Sequence, residues 1–159
     1  MFRFETEMLV IESNMIEGIE RDPTEAELNQ FEEFMTLDHL RVADITKFVG
    51  IFQPGAMIRT QPGCNVIVGT HRPVDGGPHI YDRLHSLLLS INANDVNPYQ
   101  GHVQYETLHP FSDGNGRSGR AIWCWHMYQN DMMSFRRLGF LHAFYYQALQ
   151  HSRDYTPYF

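Results

Sequence analysis

Positive charge is scarce in this chain. Its 12 Lys and Arg face 19 Asp and Glu, a formal net charge of −7, and apart from one short stretch the cations are scattered. A broad nucleic-acid-binding face is therefore excluded, and any anion must be held locally. Cysteine is scarcer still: Cys64 and Cys124 have no metal-like pairing, which suits a reduced, cytoplasmic protein. No apolar run approaches the roughly 18–20 residues that cross a bilayer, so no membrane partner is expected. The opening Met1-Phe2-Arg3-Phe4-Glu5 turns acidic at once, unlike a secretory leader. Repeats, low-complexity tracts and long linkers are missing too, and one domain over 1–159 is expected.

What is present is 43% hydrophobic, enough for a packed core, and it reads mainly as α-helix. Phe4, Met8, Ile11 and Met15 follow a helical step that Gly18 can stop. Thr24 with Glu27 has the form of a capping box, followed by Leu28, Phe31 and Met35 on one face. An apolar stretch from Leu37 through Leu40, Phe48 and Ile51 ends at Pro54-Gly55. Ile80, Leu84, Leu87, Leu88 and Ile91 form the clearest amphipathic pattern. Asn97-Pro98 reads as N-cap and first position of a helix that Pro110 must end. Two further helices are expected, over about 117–128 and over about 134–150, the latter carrying Leu138, Leu141, Tyr145 and Leu149. One segment departs from this: β-prone Ala56–Arg59 and Asn65–Val68 flank Gln61-Pro62-Gly63 and predict a β-hairpin over 55–70.

The densest chemistry lies in HPFSDGNGRSGR, residues 109–120. His109 precedes proline and should end a helix facing open space. Gly114, Asn115 and Gly116 tolerate positive φ, and such a turn entering a helix aims several backbone N–H groups at one point, an anion cradle. Arg117 and Arg120 share one face of the next helical turn, and their planar donor forks match phosphate oxygens. Cations at a helix N-terminus oppose its dipole, which a bound polyphosphate would offset. Asp113 beside the cradle suits Mg²⁺, which uses few carboxylates and completes its shell with phosphate. His109 completes a site that can take a proton from a hydroxyl. Its helix-end position should favour the protonated form, so a falling rate at mildly acidic pH is expected.

With those residues in view, the sequence resembles the Fic family, whose motif is HPFx[D/E]GNGRxxR. His109, Pro110, Phe111, Asp113, Gly114, Asn115, Gly116, Arg117 and Arg120 match every fixed position. The resemblance implies a Fic-type helical bundle with a small β-hairpin flap. It implies a protein adenylyltransferase that moves AMP from ATP to a Ser, Thr or Tyr hydroxyl of a target protein. His109 would be the base and Asp113 the Mg²⁺ ligand. Gly114, Asn115 and Gly116 would form the anion hole, Arg117 and Arg120 would hold the outer phosphates, and Phe111 would anchor the loop. The flap would dock the target as an added strand, through Met57, Ile58 and Arg59 or Val66, Ile67 and Val68.

Ser13-Asn14-Met15-Ile16-Glu17-Gly18 matches the family's inhibitory signature [S/T]xxxE[G/N]. Residues 1–20 would then be an inhibitory helix whose Glu17 pairs with Arg120 and prevents productive ATP binding. Two rival readings remain beside this one. One keeps the fold and changes the chemistry, to phosphorylation as in the Doc relatives, which commonly carry lysine where this chain has Gly116, or to another nucleotide or AMP removal as in others. The other is a non-catalytic nucleotide-sensing module. The target's identity and any homo-oligomer are left open by the sequence.

Overall fold

The computed structural model describes residues 3–130 and 145–155. Seven helices fill them: α1 (Arg3–Ile16), α2 (Glu25–Met35), α3 (Val42–Phe52), α4 (His79–Asn92), α5 (Pro98–Leu108), α6 (Asn115–Gln129) and α7 (Tyr145–Tyr155). Local chemistry sets most of their starts. Thr24 and Glu27 exchange capping bonds at 3.2 and 2.8 Å, and Asn97 and Gln100 do the same at 2.9 and 3.3 Å. Each pair satisfies donors that a helix N-terminus leaves open. Gly18, at φ 72°, closes α1, with the Ile19 N–H donating to the Asn14 carbonyl at 2.9 Å.

The helix α6 runs through the middle, packed on α5, α2, α3 and α1. Its buried positions include Arg117, Ser118, Arg120, Ala121, Ile122, Cys124, Trp125 and His126, more than one face, as a central helix requires. Under it Phe48 stacks on Phe52 at 4.3 Å and meets the edge of Phe34 at 5.1 Å. The apolar face expected of α4 is buried at all five positions, Ile80, Leu84, Leu87, Leu88 and Ile91.

Three expectations need correction. First, the buried side of α1 is not the Met8–Met15 stripe: those two are 51% and 47% exposed. Leu9, Val10, Ser13 and Asn14 face inward instead. Second, Leu37 and Leu40 precede α3 rather than belong to it. Leu40 is buried by a turn whose backbone exchanges two bonds with the Asn92 amide, both 2.9 Å.

Third, the β-hairpin flap does not form: the described residues contain no strand, only isolated bridges Ile58–Phe111 and Val68–His71. The two β-prone runs do not pair with each other because each has a closer partner. Arg59 N–H donates to the Pro110 carbonyl and Ser112 N–H to the Met57 carbonyl, both at 2.9 Å. The last helix extends past Gln150 to Tyr155 with Leu149 buried, while Leu138 and Leu141 lie outside the described residues.

Candidate active site

The site forms where α5 ends and α6 begins. His109 caps α5 in the left-handed region, φ 50° and ψ 62°, a conformation that non-glycine residues keep only where surroundings enforce it. Pro110 prevents the helix from continuing, and Phe111, fully buried, pins the loop. Asn115 then locks it: the Phe111 N–H donates to Asn115 Oδ1, and Asn115 Nδ2 donates to the Phe111 carbonyl, both 2.8 Å. The Asn115 side chain is thus a clamp on the loop, and only its main chain is left for an anion hole. Gly114 sits at φ 77°, and its N–H is held by Asp113 Oδ1 at 2.7 Å.

A cleft of about 360 Å³ opens over this turn, lined by His109, Asp113 and the Gly114–Arg117 start of α6 on one side and by Glu17 and Val66–Val68 on the other. The structure therefore gathers His109, Asp113, Gly114, Asn115, Gly116, Arg117 and Glu17 at one opening. Arg117 lies beneath, with one Nη on the Gln53 amide and a buried Nε that has no partner among the described residues. Arg120 is fully buried. Its Nε donates to Ser13 Oγ at 2.9 Å and its Nη2 to the Ser13 carbonyl at 3.0 Å and Glu17 Oε1 at 2.5 Å. Its Nη1 is buried and without a partner among the described residues.

Buried guanidinium donors rarely go without acceptors. Two of them, on Arg117 in the first turn of α6 beneath the cleft and on Arg120 three residues further in, fit a polyphosphate. Gly116 fits the same use, because a Cβ there would collide with Glu17 Oε1 and crowd Arg120 Nη1. Among the described residues no three His, Cys, Asp or Glu side chains converge on one point. Exposed Asp113 would therefore hold a divalent ion with phosphate supplying the remaining charge.

The electrostatics of His109 run against the expectation from its helix end. Burial pushes its imidazole down to about 4, and Arg153, Arg59 and His71 add to that. Desolvation of the cation outweighs the weak field of a helix C-terminus. The base form is the one present above the lowered pKa. Loss of the base itself is therefore expected only as pH falls towards about 4, well below the 6–7 range of an ordinary histidine. Transfer rates from pH 8 to 4 check this, and a complete loss by pH 6 would contradict it.

The loop is braced by a residue placed in the flap by sequence reasoning. Arg59 is fully buried, with Nε on the His109 carbonyl at 2.8 Å, Nη2 on Leu108 at 3.1 Å, and Nη1 on Cys64 and Val74 at 3.0 Å each. Its own carbonyl accepts from Gly77 N–H at 2.9 Å. Met57–Arg59 therefore has its edge on the motif loop and offers none there to a target, and the Arg59 side chain is a brace rather than a docking group. Val66, Ile67 and Val68 do line the cleft, with Ile67 63% exposed. Arg59→Met should destabilise the fold by about 2–4 kcal/mol, since it removes four part-buried hydrogen bonds made by a fully buried guanidinium. Urea unfolding measures it; a loss under about 1 kcal/mol would remove the brace.

Sequence reasoning also missed Glu106, Gln53 and Tyr145. Tyr145 places its ring 4.9 Å from the Arg120 guanidinium and its hydroxyl 2.9 Å from His102 Nε2. Glu106 had one usable signal, its place one helical turn before His109; Gln53 and Tyr145 had none.

His109, the Gly114–Gly116 turn, Arg117 and Arg120 come together around the start of α6, a set whose chemistry suits anion binding with proton transfer. Residues 78–127, which hold α4, α5, the loop and most of α6, match the family model described as Fic, Fic/DOC family. The match supports a Fic-type domain in this part of the chain, a family whose members are typically transferases. No helix of the described residues is long and apolar enough to cross a membrane.

Proposed function

We propose that this chain is a protein adenylyltransferase that moves AMP from ATP to a Ser, Thr or Tyr hydroxyl of another protein, and that Glu17 restrains it. The observation that carries the reading is Arg120: a fully buried guanidinium behind the phosphate cradle, held by Glu17 at 2.5 Å, with a buried Nη1 that has no partner among the described residues. Arg120 and Arg117 hold the outer phosphates once Glu17 has withdrawn. The Gly114–Gly116 turn faces them with the main-chain donors of the α6 start. Asp113 would hold Mg²⁺, whose contribution would be to neutralise phosphate charge. The neutral imidazole of His109 takes the hydroxyl proton as the oxygen attacks the α-phosphorus. The bond from that phosphorus to the bridging oxygen breaks, and pyrophosphate leaves. Catalysis of this kind is positioning and charge stabilisation.

Val66–Val68 at the cleft wall supply the docking segment for the target, whose main chain pairs there largely regardless of sequence. Gly116 favours AMP transfer over the Doc-type phosphorylation: a lysine at this position would occupy the place of the Glu17 carboxylate. Incubation of the protein and its Glu17→Gly variant with ATP, Mg²⁺ and cell lysate, followed by mass analysis of modified hydroxyls, tests the reading. AMP adducts, more abundant with the variant, are expected. Phosphate adducts would transfer the site to phosphorylation, and nucleotide binding without any adduct would make it a sensing module.

A further inference from the structure

We infer that Glu106 is the positioning residue of His109: its carboxylate takes the Nδ1 proton of the imidazole and leaves Nε2 as the base facing the cleft. This rests on the proposed role of His109 and adds a group the motif does not contain. Glu106 lies one turn before His109 on α5, its Oε2 3.9 Å from His109 Nδ1 and its side chain 4% exposed. That separation is an approach which shortens to a hydrogen bond when the ring reorients on its substrate, as catalytic contacts commonly do.

The surroundings of this carboxyl say that it is there for the imidazole. Glu106 Oε1 is buried and accepts no hydrogen bond among the described residues, and His109 Nδ1 is likewise buried without a partner among them. Neither nearby cation makes a hydrogen bond to this carboxylate among the described residues: Arg120 bonds Ser13 and Glu17, and Arg153 Nη2 donates to the Glu106 main-chain carbonyl at 2.9 Å. That carbonyl is the other acceptor near Nδ1; Arg153 takes one of its lone pairs and leaves the second, so main chain and side chain of Glu106 both favour the Nδ1–H form. A buried carboxyl oxygen without a hydrogen-bond donor is costly and needs a reason. The fold also makes room for it, because a Cβ at Gly119 on α6 would collide with Glu106 Oε1.

The charges around the pair explain what the carboxylate contributes. Glu106 faces Arg120 from α6, Glu17 from the end of α1 and Arg153 from α7. His109 faces Arg153, Arg59 and His71, all of which oppose a positive ring. When the imidazole accepts the hydroxyl proton, Glu106 is the acid that can balance it. Burial raises the Glu106 carboxyl to about 7. The ionised form, which accepts the Nδ1 proton, is the one above that value. A partial fall in rate through pH 7 should therefore precede the complete loss near pH 4.

Two measurements decide the matter. In ¹⁵N-labelled wild-type protein, long-range ¹⁵N–¹H correlation at pH 8 should find His109 as the Nδ1–H tautomer, its signal identified by its absence in His109→Asn. The Nε2–H tautomer would overturn the inference, and this measurement requires no turnover. In the Glu17→Gly background, Glu106→Gln should lower kcat roughly 10- to 100-fold, part of what a general base supplies. ATP affinity should stay within about threefold and the step near pH 7 should vanish. An unchanged rate with the step retained would overturn it as well. If the Glu17→Gly parent transfers no AMP at all, the proposed function fails, and the His109 tautomer compared between wild type and Glu106→Leu decides whether the carboxylate orients the ring: loss of the Nδ1–H form in the variant supports it, and its retention overturns it.

Discussion

His109→Ala is expected to lower AMP transfer by about 10²- to 10⁴-fold, the contribution of a well-placed general base, while ATP binds nearly as before. The separation follows from the geometry. The ring lines the cleft, whereas the buried donors available to phosphate belong to Arg117 and Arg120 on α6. Burial keeps the imidazole neutral at physiological pH, so the wild-type protein holds the base form ready. Its backbone conformation, φ 50°, is accessible to alanine only at some cost, so the thermal midpoint of the variant should be measured alongside. Parallel losses of ATP affinity and transfer would mean that His109 builds the site without performing the proton step.

The second large effect is expected from Glu17→Gly. Arg120 is buried completely and needs an anion; Glu17 supplies it now, and the outer phosphate of ATP is the natural substitute. One guanidinium fork cannot serve both fully. Removal of the carboxylate should therefore strengthen ATP binding by roughly 5- to 150-fold, the range of a coupling of about 1–3 kcal/mol, and raise transfer, self-modification included. The same change leaves a buried cation short of a partner, which destabilises the nucleotide-free protein. The variant should melt lower than wild type alone and gain more from ATP. Arg120→Ala should lower transfer even in combination with Glu17→Gly, since it deletes the contact that both ligands share. Unchanged affinity and rate in Glu17→Gly would reduce Glu17 to an ordinary residue after a helix end.

How much of this was legible depended on how local the cause was. The α4 face, five apolar residues at helical spacing, needed nothing distant to be read correctly. The Thr24–Glu27 capping pair and the Asn97 N-cap were visible because each acts within four residues. The motif was legible for the same reason: residues 109–120 build the turn, the clamp and the start of α6 from consecutive chain. The face of α1 was misread because Phe4, Met8, Ile11 and Met15 keep a helical step as good as that of the true face. The choice was made by Arg120, far along the chain, which holds Ser13 inward. The flap was misread for a related reason. Strand propensity says that Ala56–Arg59 can extend, not what it will pair with, and its partner proved to be the Pro110–Ser112 main chain. Arg59 looked like an edge residue and is the brace of the motif loop. Glu106 was within reach of a helical-spacing argument, whereas Gln53 and Tyr145 meet the arginines only through tertiary packing.

The most direct test of the central claim is the fate of the label when the Glu17→Gly variant is given ATP carrying its tracer at either the α- or the γ-phosphate. The account predicts label on protein hydroxyls from α-labelled ATP only, with the γ-label recovered in pyrophosphate and both signals lost in His109→Ala. Protein-bound label from γ-labelled ATP would contradict it and make the reaction a phosphorylation.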